Sequence, residues 1–323
     1  MASKLSVRGL TEGAILAALV ALFALAARYL PLVDIASVFV CPIPLMLLVI
    51  RHGVRVALLA ALVAAAIGAM VAGPLTGAAI LISFAPIGIV LGIGVRQRFS
   101  APAIVLIGSA VMTVSLLVSL ALTLAIANVN PYALMIDSMR QGQESAVSIY
   151  ERLGMDRQQI ERTTGPMRQM IELLPRLIPL LIVVGGINTA YIDFQVGRLV
   201  LRKVGQELPA LPPMSTWRVP PLFLWTLPVG FLLVAWGRGR SPALETAGLN
   251  LSILAQMIFS LQGLFVGWAL LDRYKVSRWL RWAIIAFAVT NPLIGLLVFF
   301  LGLADAAFDL RRRWRSSTSL RTP

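Results

Sequence analysis

Residues 171–203 read IELLPRLIPLLIVVGGINTAYIDFQVGRLVLRK. The run is apolar for longer than the roughly 20 residues a helix needs to cross the hydrocarbon core. Its middle carries Gly185, Gly186, Asn188, Tyr191 and Asp193, and it closes on Arg198, Arg202 and Lys203. A carboxylate on a spanning helix costs roughly 2.5–3.5 kcal/mol on insertion scales, so it turns to the protein interior or a watery cavity. Asn188 and Asp193 sit five positions apart and diverge by about 140° on a helix. Asn188 and Tyr191, three apart, make the more coherent pair. Asp193, near the basic end, has Arg198 or a loop cation as its expected partner.

Working outward, similar apolar runs recur along all 323 residues, at 59% hydrophobic and 13% charged, with a mean hydropathy of +0.86. These values exclude an ordinary soluble domain. The expected class is an all-α polytopic helical membrane protein, with spans near 10–31, 35–50, 56–73, 76–95, 102–127, 175–200, 219–236, 247–271 and 282–303. Lys4 and Arg8 before the first apolar run imitate a signal peptide, but the many later spans favour an uncleaved first helix. Two divisions follow: residues 1–203 as a six-span core that includes an extracytoplasmic helical linker at 128–174, and residues 204–323 as a C-terminal extension of two to three membrane segments with a basic tail.

The net charge of +14 would suggest nucleic acid in a soluble chain. Here the cations fall in short loops that alternate helices bring to one side: Lys4 and Arg8, Arg51 and Arg55, Arg96 and Arg98, Arg198 to Arg218, and Arg273 to Arg281. The positive-inside rule places that side, and the N-terminus, in the cytoplasm, with the lipid bilayer and not nucleic acid as the protein's environment. If 282–303 crosses once, Arg311, Arg312, Arg313 and Arg315 land outside, against the rule. A re-entrant turn at Asn291-Pro292 would return them, and both readings stay open.

The linker reads as two helices: Pro131 to Leu153 with Gly154 as stop, then a second capped by Asp156. The hairpin is either a connector or a lid on the outer surface. Small residues four apart (Ala14 and Ala18; Gly13, Ala17 and Ala21; Gly88 and Gly92; Gly263 and Gly267) mark faces for close helix approach, either within the chain or toward a second membrane protein. Glu12 either pairs with Arg8 or a neighbouring loop or, as the favoured reading, sits in the headgroup region, and His52, the one histidine, reads as a surface side chain beside lipid phosphates. Arg28 and Asp34 bracket the first outer turn. Asn250, Gln256, Gln262 and Asn291 read as interhelical glue. Cys41 stands alone, so neither an intrachain disulfide nor a cysteine metal cluster is expected. No Walker loop, HExxH or nucleophile constellation occurs, so neither enzyme activity nor a cofactor or metal is expected.

Several stretches together carry a resemblance: LTEGAILAAL (Leu10–Leu19), CPIPLMLLVIRHGVRVALLAA (Cys41–Ala61), AGPLTG (Ala72–Gly77), WRVPPLFLW (Trp217–Trp225), Gln262-Gly263, and GLADAAFDLRRR (Gly302–Arg313). In this order they resemble the YybS-like family of uncharacterised bacterial membrane proteins. That family is in turn similar to the substrate-binding S components of energy-coupling-factor vitamin transporters. Such a resemblance implies a six-helix core that binds a small-molecule solute from outside. It also implies a partner membrane subunit, docked on an AxxxA face that Ala14, Ala17, Ala18 and Ala21 match in spacing, and an ATPase module supplied by other chains. The apolar segments after residue 203 and the long linker lie outside the S-component pattern. The leading expectation is therefore a solute-binding or uptake component, with Asn188, Tyr191 and Asp193 as ligand-binding residues. The rival is a structural or assembly protein that binds another envelope protein, and a self-sufficient secondary transporter ranks last.

Overall fold

Proline and glycine set the helix boundaries of this chain. The computed structural model describes residues 6–213 and 216–311, the side chains of residues 28, 29, 31, 32, 34 and 35 aside. Helix α1 (Val7–Tyr29) starts at Ser6, whose hydroxyl accepts from Gly9 N. It is followed by α2 (Pro31–Val40), α3 (Pro42–His52), α4 (Val54–Ala72), α5 (Pro74–Ala79), a π-helical turn (Ile80–Phe84) and α6 (Ala85–Arg96). Then come α7 (Ala101–Ala127), α8 (Pro131–Arg152), α9 (Arg157–Lys203), a 3₁₀ turn (Pro221–Trp225), α10 (Thr226–Gly237), α11 (Pro242–Arg273), α12 (Arg278–Thr290) and α13 (Pro292–Phe308). No strand occurs among the described residues. Gly53 (φ 92°) and Gly73 (φ 94°) each turn the chain in a single residue, a conformation that side chains with a Cβ rarely adopt.

Six helical runs are long and apolar enough to cross a membrane: 7–27, 54–72, 74–96, 101–127, 157–203 and 242–273. The protein is an all-α polytopic membrane protein. Its packing inverts that of a soluble domain, as α4 shows: Ala57, Ala61 and Ala64 are buried while Leu58, Leu59 and Leu62 are exposed. Lipid solvates leucine as well as protein does, so small residues face inward, where they allow close approach.

The chain divides into two compact units, Met1–Leu211 and Pro212–Pro323. In the first, one apolar cluster joins α1, α3, α4 and α6, and a second joins α3, α6, α7 and α9. Residues 204–211 fold back with this unit: Leu208 is buried in the second cluster, and Arg51 Nη2 donates to Val204 O at 3.1 Å. Gly88 and Gly92 receive the backbone of α3 at Pro42 and Met46, so this small-residue pair is an internal contact.

Three of the expected spans are not long straight helices. The second is interrupted, because Pro42 and Pro44 lack the N–H groups that would bond the carbonyls of Val38 and Val40. The seventh shrinks to a 3₁₀ turn and the 12-residue α10, about 18 Å of helix, which is too short to cross alone. The stretch at 282–303 breaks where one of the two expected readings put a turn: α12 and α13 meet at 103° around Asn291, whose side chain accepts from Leu293 N and Ile294 N. Arg312, Arg313 and Arg315 lie outside the described residues, as do the side chains of Arg28 and Asp34.

The linker forms both expected helices. Asp156 caps the second in a reciprocal box with Gln159. That second helix and the sixth span are one 47-residue helix, α9, which runs through Pro166, Pro175 and Pro179. The hairpin of α8 with α9 is thus a direct continuation of the sixth span, closed by Ile136, Ile160 and Ile171.

Candidate functional site

The buried face of α9 is written by Gly186, Ala190, Asp193, Phe194, Gly197 and Leu201, a 3.6-residue repeat. Asp193 lies on that face by register and is 1% exposed. Asn188, two residues from Gly186, falls on the opposite side and is exposed. Tyr191 is half-buried, and its hydroxyl accepts from Gln195 Nε2 at 3.4 Å. The three residues therefore do not share one cavity.

Asp193 faces the interrupted second span. Met46 Sδ lies 3.1 Å from where a Cβ on Gly197 would sit, and Arg51 reaches Val204 O. These contacts, offset by 151 and 153 residues, show that α3 and the end of α9 run parallel. They put Asp193 level with Cys41, the residue between α2 and α3. Five residues separate Asp193 from Arg198, about 7 Å of helix, so it lies toward the basic end of the span. Neither carboxylate oxygen has a hydrogen-bond partner among the described residues. The expected pairing with Arg198 is absent. The Cys41 thiol turns away toward Val20 O, with its sulfur 4.0 Å distant.

At the basic end of the same unit, Glu12 takes the alternative of the two expected readings and pairs with a neighbouring loop, the α3–α4 junction. Its Oε1 lies 2.5 Å from Arg51 Nη1 and its Oε2 2.7 Å from His52 Nε2. His52 is thereby a half-buried partner of Glu12 rather than a surface side chain beside lipid. Arg96 Nη1 donates to Val49 O at 3.2 Å. These contacts bring the start of α1, the α3–α4 junction, the end of α6 and the end of α9 to one end of the unit.

The small-residue lines of α1 divide. Ala17 and Ala21 are buried in the core, whereas Ala14 and Ala18 are exposed beside Ile15 and Leu22. Elsewhere in this unit, an apolar groove of about 460 Å³ runs between the π-helical turn and α7, lined by Leu81, Pro86 and Val114 among others. A polar groove of about 380 Å³ separates α8 from α9, with Arg140, Glu144, Arg168 and Glu172 on its walls.

The second unit holds a buried network not anticipated from spacing. Asp305 Oδ2 accepts from Arg311 Nε at 3.0 Å, Arg311 Nη2 at 2.8 Å and Gln262 Nε2 at 2.6 Å. Its Oδ1 accepts from Arg311 N at 3.2 Å. Gln262 Oε1 accepts from Val219 N, and Arg311 Nη2 also donates to Trp217 O. Arg218 pairs with Asp309 at 2.7 Å. The only sequence signal was indirect: the stretches Trp217–Trp225, Gln262-Gly263 and Gly302–Arg313, quoted above for their resemblance, meet in this network. No group of three or more His, Cys, Asp or Glu able to hold a metal ion occurs among the described residues.

Buried polar groups inside apolar helices, with leucines turned outward, define an integral membrane protein. The chain belongs to the family described as predicted membrane protein (DUF2232), which it matches over residues 18–306. It is also 21% identical over 310 residues to the uncharacterised protein YybS of Bacillus subtilis (strain 168), covering 95% of this chain and 98% of that protein. No solved structure matches it.

Proposed function

We propose that this protein is a non-catalytic solute-binding component of a membrane uptake system. Its first unit, Met1–Leu211, would do the binding, and its basic end would face the cytoplasm. The observation that carries this reading is Asp193, a carboxylate on the buried face of the sixth span, held without a hydrogen-bond partner among the described residues. Ion pairing within the described residues does not account for it, and intramembrane carboxylates commonly mark ligand or ion pathways. The exposed Ala14–Ala18 line supplies a face of small residues for a second membrane subunit, which would bring an ATPase module. Ala17 and Ala21 serve the core instead. Asn188 and Tyr191 lie off the Asp193 face and contribute to ligand binding only through a rearrangement of α9, so Asp193 is the residue to test.

The first experiment is native mass spectrometry of the protein purified in mild detergent, followed by the effect of any retained molecule on the melting temperature. A stoichiometric polar metabolite that raises the melting point in wild type, and not in Asp193→Asn, is the expected result. Retention of lipid alone refutes solute binding.

The rival, a protein that binds another envelope protein and moves nothing, is favoured by the apolar side chains that fill both clusters of the core. Ala14→Leu with Ala18→Leu is expected to abolish co-purification of a partner subunit while leaving the melting temperature unchanged. Unaltered co-purification removes the docking face.

A further inference from the structure

Helix α9 ends in a turn that gathers charges without pairing them. Gly205 takes a positive φ of 77°, and the N–H groups of Gly205 and Gln206 bond back to Arg202 O and Leu201 O at 3.3 and 2.9 Å. The chain thereby reverses, and Leu208 packs into the second apolar cluster. The reversal leaves a cavity of about 160 Å³ lined by Arg198, Arg202, Glu207 and Leu208. Arg198 and Arg202, four residues apart, share one face of α9, and Arg198 is half-buried. The other cations nearby are engaged: Arg51 with Glu12 and Val204 O, Arg96 with Val49 O. Arg198, Arg202 and Glu207, by contrast, make no hydrogen bond or ion pair among the described residues. Glu207 lines the same cavity as the two guanidinium groups, yet neither comes within ion-pair distance of it.

We propose that this cavity holds the headgroup of a phospholipid that carries an ammonium group, as phosphatidylethanolamine does, with the phosphate at Arg198 and Arg202 and the ammonium at Glu207. Guanidinium groups bind phosphate oxygens through paired hydrogen bonds, and two on one face suit a single phosphate. Glu207 separates this site from a plain anion site. It repels a second anion and favours a cation, as do the last carbonyls of a helix. The order of the charges along the chain matches the order in such a lipid. Arg198 comes about 6 Å of helix before Arg202, and Glu207 follows the helix end, so the carboxylate lies farthest from the apolar span. In the lipid, the phosphate likewise lies nearer the acyl chains than the ammonium. The lipid source follows from position, since α9 is long and apolar enough to cross a membrane and the cavity lies at its basic end. Leu199 and Val200, exposed beside the arginines, offer apolar surface to the acyl chains. The site does not involve Asp193 and does not rest on the uptake reading.

The test uses the full chain in mild detergent and native mass spectrometry, with palmitoyl-oleoyl phosphatidylethanolamine and phosphatidylglycerol added in equal amounts. Wild type is expected to keep phosphatidylethanolamine in its first lipid adduct, several-fold over phosphatidylglycerol. Arg198→Gln with Arg202→Gln is expected to lose that adduct. Glu207→Gln is expected to keep a lipid adduct and lose the preference. Phosphorylethanolamine, the headgroup without its chains, is expected not to displace the lipid. The wild-type competition needs no variant, so the proposal stays testable even if the double variant misfolds. Equal retention of the two lipids by wild type, a preference for phosphatidylglycerol, or an unchanged preference in either variant overturns the site. Phosphorylethanolamine bound in place of the lipid also overturns it and gives the cavity to a soluble phosphate ester. A retained polar metabolite, with or without this lipid, bears on the uptake reading alone.

Discussion

Asp305→Ala would leave the Arg311 guanidinium inside the second unit without its carboxylate. Both side chains are at most 4% exposed, and the pair is joined by two side-chain hydrogen bonds at 3.0 and 2.8 Å. At 2.8 Å and an effective dielectric near 20, the gross attraction is about 6 kcal/mol, much of it offset by desolvation. Stripping one partner from such a buried pair costs about 3–5 kcal/mol, because the remaining charge stays buried. Domains of about 150–250 residues lose about 2–4 °C of melting temperature per kcal/mol and larger chains less, so the single variant is expected to melt several degrees below wild type. Asp305→Ala combined with Arg311→Met removes both charges and fills part of the space, and it is expected to recover most of that loss. Trp217, whose carbonyl takes the Arg311 hydrogen and whose ring packs edge-on against Phe265 at 5.5 Å, is a local reporter. Its fluorescence can be followed during heating in a variant whose other tryptophans are replaced by phenylalanine. If the double variant melts as low as the single one, the two residues are not a coupled pair, and the reasoning from buried charge fails.

Two further outcomes follow from packing and capping. Gly92→Leu places side-chain atoms where a Cβ already meets Val49 Cβ at 2.7 Å and Met46 O at 2.9 Å. It is expected to cost at least about 1–3 kcal/mol, read as a lower melting temperature and a broadened size-exclusion peak, while Gly267→Leu, which points into open space, changes neither. Asp156→Ala removes the cap of α9 and is expected to cost about 1 kcal/mol. The loss should appear as faster hydrogen exchange at Gln159 and Ile160, with the exchange of Phe194 and Gly197 unchanged.

The ends of helices were legible in the sequence because local chemistry sets them. Asn130, Asp156 and Ser241 each accept from a backbone N–H in the first turn of the helix that follows. The unbroken course of α9 was not legible. The shift at Pro175 from a charged to an apolar surface looks like a boundary between elements. Helical hydrogen bonding is indifferent to that shift, and a proline inside a helix, whose φ is already helical, forfeits one bond rather than all of them. The opposite case is 219–236, where apolar content suggests a span. Pro220, Pro221 and Pro228 cluster there and leave only a 12-residue helix.

Apolar periodicity carries little information about which face of a spanning helix turns inward, because lipid accepts leucine on every side. The informative positions are the small and polar ones. On α9, Gly186, Ala190 and Gly197 fix the inward face, and Asp193 follows from their register. Weighted above the helical proximity of Asn188 to Tyr191, that repeat by itself separates Asp193 from the other two. The Asp305 network had no such local clue. Its members Trp217, Gln262, Asp305 and Arg311 are spread over more than 90 residues, and their meeting depends on how α11 and α13 cross at Gly263 and Gly302, where a Cβ on either glycine would strike the backbone of the other helix. The two glycines that permit the crossing also bring Gln262 within 2.6 Å of Asp305. In this unit, the small-residue contact is therefore what positions the buried charge.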